Sequence, residues 1–236
     1  MLASIRRQNL PTTAGPVPTT IEVIVDDLNT FLPSHTLAVF SQADFNQPGP
    51  RRVQYFPVHD IVLAVNCTNL PAMPSNTKPV PKKPGDSMKL PVVTLCVPNS
   101  MTFPLLFNYL YTKHPGTLVP VLLPGLNAGM TSMAHVVGHL ARLSSQILTR
   151  QIFLTHQLWQ NVCALGVHDE PLYACIDMAW GALLQALSLA GRVPAAQGPS
   201  IPSAVTVAPA STWQAQTAVA TAAHPPPSPA TSVPPP

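Results

Sequence analysis

Charge is what this chain has least of: 9 % of its 236 residues are Asp, Glu, Lys or Arg, and the formal net charge is +3. That balance is too small to make a nucleic-acid-binding surface by itself. The four cysteines, Cys67, Cys96, Cys163 and Cys175, are scattered without a CxxC pair. No apolar run follows Arg6 and Arg7 in MLASIRRQNLPTT, so no secretory signal is read there and an intracellular, reducing setting is expected, nucleus or cytoplasm. The cysteines are then read as small buried apolar residues rather than disulfides. No stretch is read as long and apolar enough to span a bilayer. Phosphate-binding glycine loops and a nucleophile elbow are also missing, and paired carboxylates occur only as Asp26 with Asp27 and Asp169 with Glu170.

Proline, in contrast, is abundant, with 30 residues, and its distribution divides the chain. Residues 1–20 combine Arg6 and Arg7 with Pro11, Pro16 and Pro18 and show no period, which predicts an unstructured leader. Residues 192–236 hold eleven prolines and no acidic group, a composition that cannot bury enough apolar surface to fold, so a disordered tail is expected. One domain over 21–191 remains.

Within it, the first half reads as a small sheet. Residues 21–25 (IEVIV) and 36–40 (TLAVF) are rich in β-branched residues, and 51–56 (RRVQYF) alternates polar with apolar until Pro57 closes it. Residues 59–69 (HDIVLAVNCTN) fit a buried strand or a buried helix equally well. A basic, proline-rich loop over 71–90 carries Lys78, Lys82, Lys83 and Lys89 against Asp86, and its PVPKKPG reads as a solvated spacer before it reads as a nuclear import signal. Residues 91–97 (PVVTLCV) predict a strand, and Phe103, Leu106, Phe107 and Leu110 keep helical spacing beyond Asn99 and Ser100.

From 125 to 191 the only proline is Pro171, which marks a helical half, with helices expected over 131–149, 151–166 and 169–191. The last is the best defined. Asp169 is an N-cap acceptor, Glu170 faces the positive end of the helix dipole, Pro171 sits where a missing N–H costs nothing, and Gly191 with Arg192 supplies a left-handed stop. Leu172, Ile176, Ala179, Leu183, Leu187 and Ala190 draw one apolar stripe, Tyr173, Trp180 and Leu184 populate another side, and Asp177 is the only charge between Pro171 and Gly191. A helix apolar on two sides needs two partners.

Two histidines one turn apart, His135 and His139, come nearest to a catalytic motif. A zinc protease needs a glutamate after the first histidine to activate water, and that position is Val136. His156, Cys163, His168 and Cys175 offer no third ligand at a diagnostic spacing. No catalytic residue, cofactor or metal is therefore assigned.

The succession of strands, FPVHDIVLA and TFPLLFNYLYTKHPGTL resembles the BTB/POZ pattern, His59 and Leu63 falling on one signature and Phe103, Leu106, Tyr109, Leu110, Tyr111 and Thr112 on the other. That resemblance implies a helix over 59–67 and an α+β fold in which a BTB/POZ-like sheet with helices precedes the helical half. Over about 57–190 the phrases HDIVLAVNCTNLP, LPVVTLCVPNSMTFPLLFNYLYTK and LWQNVCALGVHDEPLYACIDMAWGALLQAL resemble the Clampless-type proteins of mushroom-forming fungi. The family's LW-x-N-x-x-ALG-V-x-D block falls on Leu158, Trp159, Asn161, Ala164, Leu165, Gly166, Val167 and Asp169, and the tryptophan of its last helix on Trp180. The resemblance implies a role in sexual development and clamp-cell formation, with no enzymatic activity to carry over. Together with the surplus apolar faces, it makes Trp159, Asn161, Leu165, Asp169 and Trp180 candidate partner-binding residues in a non-enzymatic regulator. A protein partner or a second copy is expected, and neither a membrane nor direct nucleic-acid contact. The alternatives are a DNA-associated transcriptional regulator and, less favoured, a metal-dependent hydrolase.

Overall fold

The eleven-residue strand Ser87–Val97 holds the sheet together. Its alternation changes phase midway: Met88 and Leu90 are buried in one cluster, then Val93, Leu95 and Val97 in another. Because side chains alternate between faces with a period of two, the phase change sends the two halves of one strand into two different cores. The switch falls at Pro91, which has no N–H to give to either neighbour. Before it the strand runs antiparallel to Thr20–Val25, and after it parallel to His35–Ser41.

The computed structural model describes residues 5–7, 17–29, 31–42, 52–75, 81–126 and 132–191. In chain order the elements are β1 (Ile5–Arg7), β2 (Thr20–Val25), β3 (His35–Ser41), β4 (Gln54–Val58), α1 (Asp60–Asn66), β5 (Ser87–Val97), α2 (Phe103–Thr112), a 3₁₀ turn (Pro115–Thr117), α3 (Val119–Leu122), α4 (Met133–Leu140), α5 (Ser145–Leu165) and α6 (Glu170–Ala190). The sheet order is β1-β2-β5-β3-β4. The fold is thus mixed α+β, as expected. Ile21, Val23 and Val25 with Met88 and Leu90 form a small cluster, while β3, the second half of β5 and the helices enclose the main core.

Several local expectations are corrected. Ile5–Arg7, placed in the unstructured leader, pairs with β2. The basic loop ends at Asp86 rather than residue 90, because Ser87 and Lys89 alternate with buried Met88 and Leu90 against β2. Pro57 does not close β4 but lies inside it, opposite Thr36, which an edge strand tolerates since one row of its N–H groups has no neighbour. The helix expected over 131–149 stops at Leu140, and α5 begins at Ser145 because the Ser144 side chain accepts from the Ile147 N–H at 3.4 Å and caps it. Gly191 ends α6 in the right-handed region at φ −73°, not the left-handed one. Cys67 and Cys175 are buried as expected, but Cys96 and Cys163 are exposed. Finally, α6 is long and apolar enough to cross a membrane by length and composition, contrary to expectation. Its buried stripe of Leu172, Ile176, Ala179 and Leu183, packed in the main core, gives that hydropathy a different account.

The expected tail over 192–236 with Arg192 and Trp213 lies outside the described residues, as do most of the leader, Arg51 and Lys78.

The two BTB/POZ-like signatures meet in space. The His59 N–H donates to the Tyr111 hydroxyl at 2.9 Å, His59 Nδ1 lies 3.1 Å from the same oxygen, and Nε2 donates to the Phe31 carbonyl at 3.0 Å. One histidine thereby ties the start of α1 to the end of α2 and to the loop before β3.

Candidate partner-binding site

The block Leu158 to Asp169 is a corner between the two long helices. Helix α5 ends at Gly166, whose φ of +60° and N–H to the Cys163 carbonyl at 3.0 Å, with the Val167 N–H on the Val162 carbonyl at 3.0 Å, form a Schellman stop. A Cβ at Gly166 would collide with Thr68 Oγ1 as well as forcing a strained φ. The chain leaving α1 closes the corner, Asn69 N–H donating to the Leu165 carbonyl at 3.0 Å and Thr68 N–H to that of Gly166 at 3.2 Å.

Three of the five sequence-assigned residues are spent on this architecture. Leu165 is buried in the main core. Asn161, fully buried, reaches across to the start of α2: its Oδ1 accepts from the Asn99 N–H at 3.0 Å, and its Nδ2 donates to the Asn99 carbonyl at 2.7 Å and to Thr102 Oγ1 at 3.0 Å. Asp169 caps α6 by accepting from the Leu172 N–H at 3.1 Å, and also accepts from the Tyr109 hydroxyl and Lys113 Nζ, both at 2.6 Å. Burial pushes the Asp169 carboxyl up, but the hydrogen bonds from Lys113, Tyr109 and Leu172 outweigh it and hold the group below its ordinary value. Tyr109, almost wholly buried, is pushed up by that burial and by the same carboxylate.

A carboxyl depressed in the folded state contributes stability that is present above the unfolded value of about 4 and lost as pH falls through the folded one. Asp169→Asn is therefore expected to lower the melting temperature at pH 7, and to converge on the parent as pH is lowered from 5 towards 3. An unchanged difference across that range would show that the charge on Asp169 contributes nothing.

The other two residues face outward and come together. Trp159 on α5 is 42 % exposed, and Trp180 on α6 is half-buried. His156 lies between them, its ring stacked on Trp159 with centroids 5.8 Å apart at 22° and tilted against Trp180 at 6.1 Å. Asp177, one turn before Trp180, completes the lining of a pocket of about 320 Å³. His156 and Asp177 were outside the assigned set, although the spacing of His156 with Trp159 and of Asp177 with Trp180 puts each pair on one helix face. His135, exposed, and His139, half-buried, sit on α4, and among the described residues no group of three His, Cys, Asp or Glu could hold a metal ion.

A family model for the Clampless protein 1 C-terminal domain matches residues 116–233, and one for the Clampless protein 1 N-terminal domain matches residues 1–98. The chain belongs to the Clampless protein 1 family. Clampless protein 1 from Cryptococcus neoformans var. neoformans serotype D, in strains JEC21 and B-3501A alike, is 31 % identical over 134 residues, covering 56 % of this chain and 27 % of the relative. The chain thus spans about a quarter of the length of the curated relatives it matches. No solved structure matches the chain, and the BTB/POZ likeness stays one of sequence pattern.

Proposed function

We propose that this protein is a non-enzymatic regulator of clamp formation in fungal sexual development, acting inside the cell by holding a protein partner on the outer face of α5 and α6. Membership of the Clampless protein 1 family supports the process. The observation that carries the mode of action is the pairing of Trp159 and Trp180 at the surface, since tryptophan is the side chain most often found anchoring an interface. Asn161, Leu165 and Asp169 are occupied with folding, so of the five candidate residues these two indoles are the ones left to bind. Disrupting the gene in a clamp-forming dikaryon should abolish clamp cells, and the full chain supplied in trans should restore them. Normal clamps in the disruptant would remove the developmental reading.

A further inference from the structure

The pocket between α5 and α6 has a composition that selects its occupant. Two indoles and an imidazole form its walls, and among the described residues the single formal charge in its lining is the carboxylate of Asp177. Among the described residues Asp177 makes no ion pair, and neither indole N–H has a hydrogen-bond partner. An aromatic face carries the negative part of its ring quadrupole, so aromatic walls attract a cation and lose little by desolvating it when the cation is large and diffuse. A carboxylate at the rim adds the complementary charge, whereas an anion would meet both the ring faces and Asp177 unfavourably. An uncharged apolar group would fill the volume but gain nothing from the exposed carboxylate.

We infer that this pocket is an aromatic cage for an organic cation, the guanidinium or methylated ammonium head of a basic side chain presented by the protein partner. This rests on the partner-binding reading above and names the chemistry of its central contact. A side chain fits better than a free amine because the flanks continue the surface: Leu184, 43 % exposed, follows Trp180 by one turn on α6, and Phe153, 61 % exposed, precedes His156 by one turn on α5. Those ledges give the backbone and neighbouring residues of a partner segment somewhere to lie. The free indole N–H groups give its carbonyls something to accept from.

The test uses the full chain carrying Trp213→Phe, so that tryptophan emission reports Trp159 and Trp180. Tetramethylammonium chloride is titrated against sodium chloride at equal ionic strength and against its neutral isostere 3,3-dimethylbutan-1-ol. Short peptides with a central arginine or trimethyl-lysine are titrated beside citrulline and leucine counterparts. The expected result is saturable binding of the cations, about tenfold tighter than the neutral partners. Asp177→Asn is expected to weaken cation binding about threefold or more, and Trp159→Leu, which keeps apolar volume but removes the ring, to abolish it, with thermal melts showing both variants folded. Equal affinity for neutral and cationic probes, no saturable response in the folded parent, or full affinity in both variants would overturn the cage. Binding of tetramethylammonium without either basic peptide would assign the pocket to a free small cation instead and overturn the partner side chain. If the cage fails while folded Trp159→Ala still loses clamp rescue, partner binding stands and only the charge of the occupant is wrong.

Discussion

Ile176→Ala and Leu183→Ala are each expected to destabilise the protein by about 2–5 kcal/mol. Both side chains are almost fully buried on the inner stripe of α6, at 2 % and 0 % exposure. Each truncation removes several methyl and methylene groups from water-free packing and leaves a cavity that two long helices cannot easily collapse around. Urea unfolding read by circular dichroism measures the cost, which should appear as a lower midpoint at unchanged slope. In Asp169→Ala the lost cap contributes about 1 kcal/mol, to which the loss of the acceptor for Tyr109 and Lys113 adds. Midpoints equal to the parent for both core variants would mean that α6 is not a central element.

The second large effect is expected at Asn161. Asn161→Leu keeps the branched shape but leaves the Asn99 N–H without its acceptor and takes the amide donor away from the Asn99 carbonyl and the Thr102 hydroxyl, which keep a 3.4 Å hydrogen bond to each other. A partly buried group so stranded costs about 1–3 kcal/mol, so a loss on the order of 2 kcal/mol is expected, together with faster hydrogen exchange at Asn99. This prediction separates two meanings of one residue. If Asn161→Leu unfolds at the parent's midpoint and instead weakens partner capture, Asn161 belongs to the binding surface and its buried bridge to α2 is of no consequence.

How much of this could be read from the sequence varied with how local the cause was. The start of α6 was legible because Asp169, Glu170 and Pro171 act on the next few residues only, and the Asp169 cap is present as expected. Its inner stripe was legible for the same reason, a helical period being a property of one segment. The break between α4 and α5 was not, because neither proline nor glycine marks it and the signal is the single hydroxyl of Ser144. The first part of β5 hid behind Pro91, which looks like a strand's beginning until β2 and β3 are seen on its two sides. The site divided along the same line. A conspicuous block containing Trp159, Asn161, Leu165 and Asp169 drew all four into one functional set, but which member faces solvent depends on where α2 and the chain after α1 are packed. His156 and Asp177 belong to the pocket only because α5 and α6 run side by side, a tertiary fact that neither helix states alone.

The most direct test of the central claim is clamp rescue by Trp159→Ala. Its side chain is the more exposed of the two pocket tryptophans, so the variant is expected to melt close to the parent while Ile176→Ala, measured beside it, does not. Introduced into the disrupted dikaryon at parental abundance, folded Trp159→Ala should fail to restore clamp cells and fail to retain the partner that the parent retains. Restoration of clamps at the parental frequency by the folded variant would contradict the claim that the outer face of α5 and α6 is where this protein works.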